Sequence, residues 1–329
     1  MGDGGRALVL GCGGTLGLAW SAVALRAVER ALDWDSRSAD VIVGTSAGAE
    51  LALILASGRT PEDLVAALEG RPDADPLLRA HLRSAPRALP PVPVAAWPGR
   101  GLTGAARRGR VSRGSGLVGL LPRGRGDATW LRRLAIRLGD DISWPDARLR
   151  LMASDAATGE RVALGAPGGP KVSPADALAA SWAVPGWFPP VRIGGRELLD
   201  GGAVSPTSAD LLAADRPDEV VIVAPMSTAG GAAARGPQRF ERVLRRWMTA
   251  TVDAEERLLR AAGVRCLRIE PDVEQLAAMG PNFMNPARRA VTVAAARRTT
   301  PGTVARALAR ADYPGPLNGP TATGHARRP

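Results

Sequence analysis

The stretch "VIVGTSAGAEL", residues 41–51, sets Ser46 in a G-x-S-x-G pattern with Gly44 and Gly48. A β-branched run precedes it and a helix-forming run follows, which is the context a nucleophile elbow requires. In such a turn the hydroxyl stands clear at the C-terminal edge of a sheet. The following helix aims its free N–H groups and the positive end of its dipole at whatever binds there. Gly44 and Gly48 keep the turn small where neighbouring chain passes close. A serine at its ordinary pKa is a poor nucleophile and needs a base. Histidine is the usual one, and the chain has two, His81 and His325. His81 stands just before a Pro/Arg-rich stretch and His325 near the C-terminal end; both are expected at the surface. A carboxylate is the better candidate. Asp200 in "ELLDGGAVSP" closes an apolar run and precedes two glycines. A tight turn there sets it at the same sheet edge, able to take the serine proton and later to activate water.

A second glycine-rich stretch, "LVLGCGGTLG" at residues 8–17, admits four readings. A lipoprotein cleavage box ending at Cys12 needs a longer apolar approach than Ala7 to Leu10 supplies after Arg6. A dinucleotide loop needs G-x-G-x-x-G, and the third glycine here falls one residue late. A phosphate loop needs Gly-Lys-Ser/Thr, which Leu16, Gly17 and Leu18 do not provide. A cradle for an oxyanion remains.

These residues need strands and helices to hold them. "ALVLGCGG" reads as a buried strand entering a glycine turn. Residues 16–32 have helical spacing, with Leu18, Ala22, Leu25, Val28 and Leu32 on one face. "ADVIVG" and "AGAELALILASG" read as strand and helix. Thr60 and Pro61 open another helix. This β-α-β-α grammar predicts a parallel sheet covered by helices. Residues 70–128 are rich in Pro, Gly and Arg and read as a mobile excursion: a solvated loop, or a lid or lipid-facing flap. Further on, "ATWLRRLAIRLG" is helical, and residues 148–165 read as two strands around a turn at Thr158 and Gly159. Ser173 caps a helix, "RELLDGG" and "DEVVIVAPM" are strands, residues 239–263 form a long amphipathic helix, and "VRCLRIEP" is a strand. One domain is expected over 1–313, with a disordered tail over 314–329.

The chain has 329 residues, 45% hydrophobic and 23% charged, which suits an ordinary globule with a sizeable core. Two cysteines, Cys12 and Cys266, make neither a disulfide framework nor a zinc site and fit a reducing compartment. No signal peptide or transmembrane helix is read, so a cytoplasmic location with peripheral membrane contact is expected. No cluster has metal-ligand spacing, and neither metal nor cofactor is expected. The net charge is +11, nearly all of it arginine. Base composition explains part of that, and a basic surface also attracts anionic lipid. Aromatic residues are 4% and do not interleave with the basic clusters, so no nucleic acid is expected.

Four blocks in order resemble the patatin-like phospholipase family: "GCGGTLG", "GTSAG", "SWAVPGWFPP" and "DGG". Weaker similarity runs through "SDAATGE" and "AAMGPNFMNPARR". The resemblance implies a three-layer α/β/α fold with a mainly parallel sheet. It implies a lipid acyl hydrolase (a phospholipase or esterase) with a Ser46–Asp200 dyad, and an oxyanion held by the backbone N–H groups of Gly13 and Gly14. Trp187 and Phe188 in the third block are candidates for an acyl groove or membrane interface, with core packing, as for Trp182, the alternative. The family loop commonly reads Gly-Gly-Gly-x-Arg/Lys-Gly. Here Cys12 stands for the first glycine and Leu16 for the cation, which puts catalytic power and phospholipid preference in question. Cys12 is expected to be an inert thiol near the site, and Trp20 to fill core.

Rival readings are an α/β-hydrolase with a Ser46–Asp200–His325 triad, a dinucleotide-binding enzyme, and a lipid-binding relative with a weakened site. Only one strand precedes the elbow, where the α/β-hydrolase fold normally has several.

Overall fold

A computed structural model describes residues 5–86, 88–139, 144–228, 236 and 238–311. Strands β1 (Arg6–Leu10) and β2 (Val41–Thr45) lead into helices α1 (Gly14–Leu32) and α2 (Ala47–Ala56). Helices α3 (Pro61–Glu69), α4 (Pro76–Arg83), α5 (Arg100–Arg107), α6 (Arg113–Val118) and α7 (Thr129–Leu138) follow. Then come β3 (Leu149–Asp155), β4 (Arg161–Leu164), α8 (Pro174–Ser181), β5 (Val191–Ile193), β6 (Arg196–Asp200) and β7 (Glu219–Val223). The last elements are α9 (Gln238–Ala261), β8 (Arg265–Ile269), α10 (Val273–Met279) and α11 (Arg289–Arg310).

The sheet runs β5-β6-β3-β2-β1-β7-β8, with β4 on β3. β3, β2, β1, β7 and β8 are mutually parallel. β4, β5 and β6 join antiparallel. Side chains alternate across it with the period of a strand. Leu8, Leu10, Ile42, Leu149 and Leu151 face a thick helical layer containing α1, α2, α3, α7, α8 and α11. Ala7, Val9, Val43, Met152 and Ile222 face the other way, against Leu259 of α9 and a 3₁₀ turn at Ala209–Ala214. The result is the three-layer α/β/α fold with a mainly parallel sheet. Among the described residues no helix is long and apolar enough to cross a membrane.

In helix α1 every residue from Gly14 to Leu25 is buried, because α2, α3 and α11 pack around it as well as the sheet. Two expectations need correction. Residues 70–128 are not a structureless excursion. They hold α4, capped by the Asp75 carboxylate, α5, and α6, capped by Ser112. Their many small residues let helices meet closely: a Cβ on Gly116 would stand 2.6 Å from Ala106, and one on Gly119 2.3 Å from the Gly99 carbonyl oxygen. His81 is not a surface residue. It is 6% exposed, its Nε2 lies 2.6 Å from Glu50 Oε1, and its ring stacks on Trp130 at 5.0 Å. The expected tail and His325 lie outside the described residues.

Candidate active site

Ser46 sits between β2 and α2 with φ 54° and ψ −116°, a left-handed conformation that a side-chain-bearing residue holds only when its surroundings impose it. Two features impose it. A Cβ on Gly48 would stand 1.9 Å from the Leu10 carbonyl oxygen, so only glycine lets α2 start against β1. The Ser46 N–H donates to Ser181 Oγ at 2.9 Å, and that hydroxyl donates to the Met152 carbonyl at 2.7 Å. Ser181, at the end of α8, thus pins the turn to β3. It opens the block "SWAVPGWFPP", but nothing local marks it as a buttress for a residue 135 positions away.

Register brings the second residue in. On β3, Met152 pairs with Thr45 and its neighbour Ala153 pairs with Asp200. The ends of β2 and β6 therefore meet at adjacent residues of one strand. Asp200 is held by its own N–H on the Ala183 carbonyl at 3.0 Å and by Ser154 Oγ on its carbonyl at 2.8 Å. Its Oδ1 accepts the Gly202 N–H at 2.7 Å. Burial pushes the carboxyl up to about 7, against opposing hydrogen bonds from the Ser46 hydroxyl and the Gly202 N–H.

The β1–α1 loop closes a third side. Gly11 N–H donates to the Val223 carbonyl and Cys12 N–H to the Pro206 carbonyl, both at 2.9 Å. Leu16 and Gly17 N–H groups are also occupied, by the carbonyls of Phe283 and Gly13. Gly13 and Gly14, between them, have no backbone N–H acceptor among the described residues, and both line the cleft that Ser46 and Asp200 line. Gly14 has φ +59°, and a Cβ there would meet the Phe283 ring at 2.5 Å.

The cleft encloses about 210 Å³. Its walls are largely apolar: Val118 at the end of α6 and Leu121 just beyond it, Trp187, Met226, and Leu244, Trp247 and Met248 of α9. Trp187 is among the lining residues, whereas Phe188, 2% exposed, and Trp182, fully buried, belong to the core beside it. Phe188 is therefore no groove residue, because the chain turns its ring inward at this point. The three α9 residues went unnoticed in the sequence, although the amphipathic pattern of that helix carries them.

Cys12 also lines the cleft and packs against Gly202. Burial, and then the nearby Asp200 charge, push its thiol well above the ordinary range, so it stays protonated. Leu16 is fully buried in the core and turns away from the cleft. Trp20 fills core too, its Nε1–H donating to Gln275 Oε1 at 2.9 Å. His81 does not line the cleft. Among the described residues no group of His, Cys, Asp and Glu is arranged to hold a metal.

A serine held on a strained strand–helix turn, a buried carboxylate beside it and a glycine loop at a helix start thus lie together on one edge of a three-layer α/β/α sheet. The family model for patatin-like phospholipase matches residues 8–213, and the chain belongs to that family. No curated protein is matched by the sequence. Among solved structures, VipD from Legionella pneumophila is similar at 15% identity and a TM-score of 0.39, covering 93% of this chain and 67% of its own. The type III effector protein ExoU is similar at 15% identity and a TM-score of 0.36, covering 92% of this chain. This chain spans about half of ExoU's length, 53%.

Proposed function

We propose that this protein is a lipid acyl hydrolase cleaving carboxylic esters, with Ser46 as nucleophile and Asp200 as its base. Ser46 Oγ attacks the ester carbonyl carbon as its proton passes to the Asp200 carboxylate. The carbonyl oxygen, now negative, is held by the Gly13 and Gly14 N–H groups. Preorganised donors of this kind stabilise such charge by roughly 3–4 kcal/mol. The tetrahedral centre collapses, the alcohol leaves with the proton from Asp200, and the acyl group remains on Ser46. Water then attacks, giving its proton to Asp200, and the free acid departs as Ser46 recovers its hydrogen. The apolar walls take the acyl chain, and the methionines, which are flexible and polarizable, suit chains of differing shape.

The observation that carries this reading is the meeting of Ser46 and Asp200 in one apolar cleft beside unbonded N–H groups. Ser46→Ala and Asp200→Asn should each lower turnover of a short-chain p-nitrophenyl ester by more than about a hundredfold. Wild-type turnover in either variant overturns the mechanism. A chain ending at Tyr313 separates the triad alternative, because loss of activity there would demand His325. Labelling by a fluorophosphonate at Ser46 separates an enzyme from a lipid-binding relative with a dead site.

A further inference from the structure

The positive charge of this chain is segregated. Residues 76–126 hold ten arginines and not one Asp or Glu, in a chain with 43 Lys and Arg against 32 Asp and Glu. The net +11 therefore resides almost wholly on one segment. Elsewhere arginines are commonly paired, as Arg161 is with Asp210 and Arg150 with Asp215. None of the described arginines of this segment forms an ion pair with a described carboxylate, and Arg83, Arg107, Arg108, Arg110, Arg113 and Arg125 are exposed.

The same segment carries the exposed apolar side chains. Of thirteen exposed large hydrophobic residues among those described, seven lie between Leu89 and Leu121. Val92 is 82% exposed, Leu89 76% and Leu117 68%. Trp97 is exposed with the Arg100 guanidinium over its ring at 5.1 Å. Isolated surface leucines need no explanation, but a run of them beside unpaired cations does.

Hydrogen bonds fix this segment around the mouth of the cleft. Val94 N–H donates to the Arg123 carbonyl at 2.9 Å, joining its two arms. Gly126 N–H donates to the Trp187 carbonyl at 2.7 Å, and Asn282 Nδ2 donates to the Ala88 carbonyl at 2.7 Å, beside Phe283. Trp247 Nε1–H donates to Ser112 Oγ at 2.6 Å. Val118 and Leu121 of the segment line the cleft itself, together with Trp187, Trp247 and Phe283.

We infer that this collar, residues 88–126, is a docking surface for an anionic lipid bilayer, which seats the cleft mouth on the membrane. The choice of occupant rests on the lipid-hydrolase reading and on charge complementarity. A bilayer interface takes aliphatic and Trp side chains and arginine together, the apolar groups entering below the headgroups and the cations meeting phosphate and carboxylate. A nucleic acid would gain nothing from exposed Val92, Leu89 and Leu117.

The test is co-sedimentation of the full chain with phosphatidylcholine vesicles, with and without about one-third phosphatidylserine. Two variants are compared: Arg107→Gln/Arg108→Gln/Arg110→Gln/Arg113→Gln, and Leu89→Ser/Val92→Ser/Leu117→Ser. Binding to phosphatidylserine vesicles should exceed that to phosphatidylcholine and weaken as ionic strength rises from about 0.1 to about 0.5 M. Each variant, at wild-type Tm, should lose at least about tenfold in affinity. The salt response of the wild-type chain needs no variant, so it decides the matter if either fails to fold. Equal binding to both vesicles, or wild-type binding by both variants, overturns the proposal. So does tighter binding to a short DNA duplex than to the phosphatidylserine vesicles. Vesicle binding without turnover of a soluble ester by the wild-type chain would uphold the docking surface while sinking the hydrolase reading. Turnover without vesicle binding would do the reverse.

Discussion

At the scale of single residues, Asp200 carries opposing demands. To act as the proposed base it must be ionised, yet burial favours its neutral form and pushes it up to about 7. Its folded pKa lies above the unfolded value near 3.9, so the folded state binds the extra proton between those values. Stability falls as pH rises from about 4 to about 7, while the fraction of competent base grows. The value of kcat/KM should therefore rise with pH and reach half its plateau near 7. Asp200→Asn should be more stable than the wild type at pH 8 by roughly 4 kcal/mol and lose that advantage near pH 4. Urea unfolding at the two pH values checks this; an equal gain at both would show another cause. Leu16 yields a second expectation. A cation at that position meets fully buried core rather than the cleft. Leu16→Arg should lower stability by more than about 3 kcal/mol and leave turnover per folded molecule no higher. Ser46, Asp200, Gly44 and Gly48 were legible in the sequence because sharp turns select residues locally. Ser181 was not, because its task is set by a strand and a turn far away along the chain.

At the scale of elements, what was legible followed the same divide. Strands β1, β2, β3, β7 and β8 announce themselves as short apolar runs, and α3 as a Thr-Pro start with a complete capping box. Helices α5 and α6 were hidden because glycine-rich and arginine-rich composition reads as loop. They form because Leu102 buries against Ala156, Leu199 and Ala203, because Ala105 is buried too, and because Gly116 and Gly119 permit close approach. Helix α9 does more than cover the sheet. Its Glu255 accepts the Ala209 N–H at 2.9 Å and is hydrogen-bonded by the hydroxyls of Ser205 and Thr207. That loop offers the Pro206 carbonyl to the Cys12 N–H, so one buried carboxylate braces both the Asp-Gly-Gly turn and the glycine loop. Ser181→Ala removes the acceptor of the Ser46 N–H, and an unsatisfied buried N–H is worth about 1–3 kcal/mol. Turnover should drop by about tenfold or more with KM little changed, together with a lower Tm. A shift confined to KM would contradict the buttress role.

At the scale of the whole molecule, an α/β body carries a cationic, partly apolar collar that holds seven arginines and no Asp or Glu. The body is held by two cores on the faces of one sheet, whereas the collar has few buried side chains beyond Leu102, Ala105 and Ser115. Local opening follows burial, so limited trypsin digestion should cut first near Arg107, Arg108 and Arg110 and leave the sheet intact. Mass spectrometry of the early fragments reads this directly; first cuts within α1 or α11 would refute it.

The step in pairing along β3, from Thr45 opposite Met152 to Asp200 opposite Ala153, has a consequence for how this fold tolerates change. The strand acts as a ruler: the gap between the Ser46 turn and Asp200 is one residue of β3. The collar, which contributes neither β3 nor the Ser181 and Ala183 contacts, is free to lengthen, shorten or be exchanged without moving Ser46 and Asp200 apart. A single insertion within β3 is another matter. With side chains alternating every residue, it would part Ser46 from Asp200 and turn Met152 and its neighbours to the wrong faces at once. Anyone grafting a different collar onto this body should keep β3 untouched.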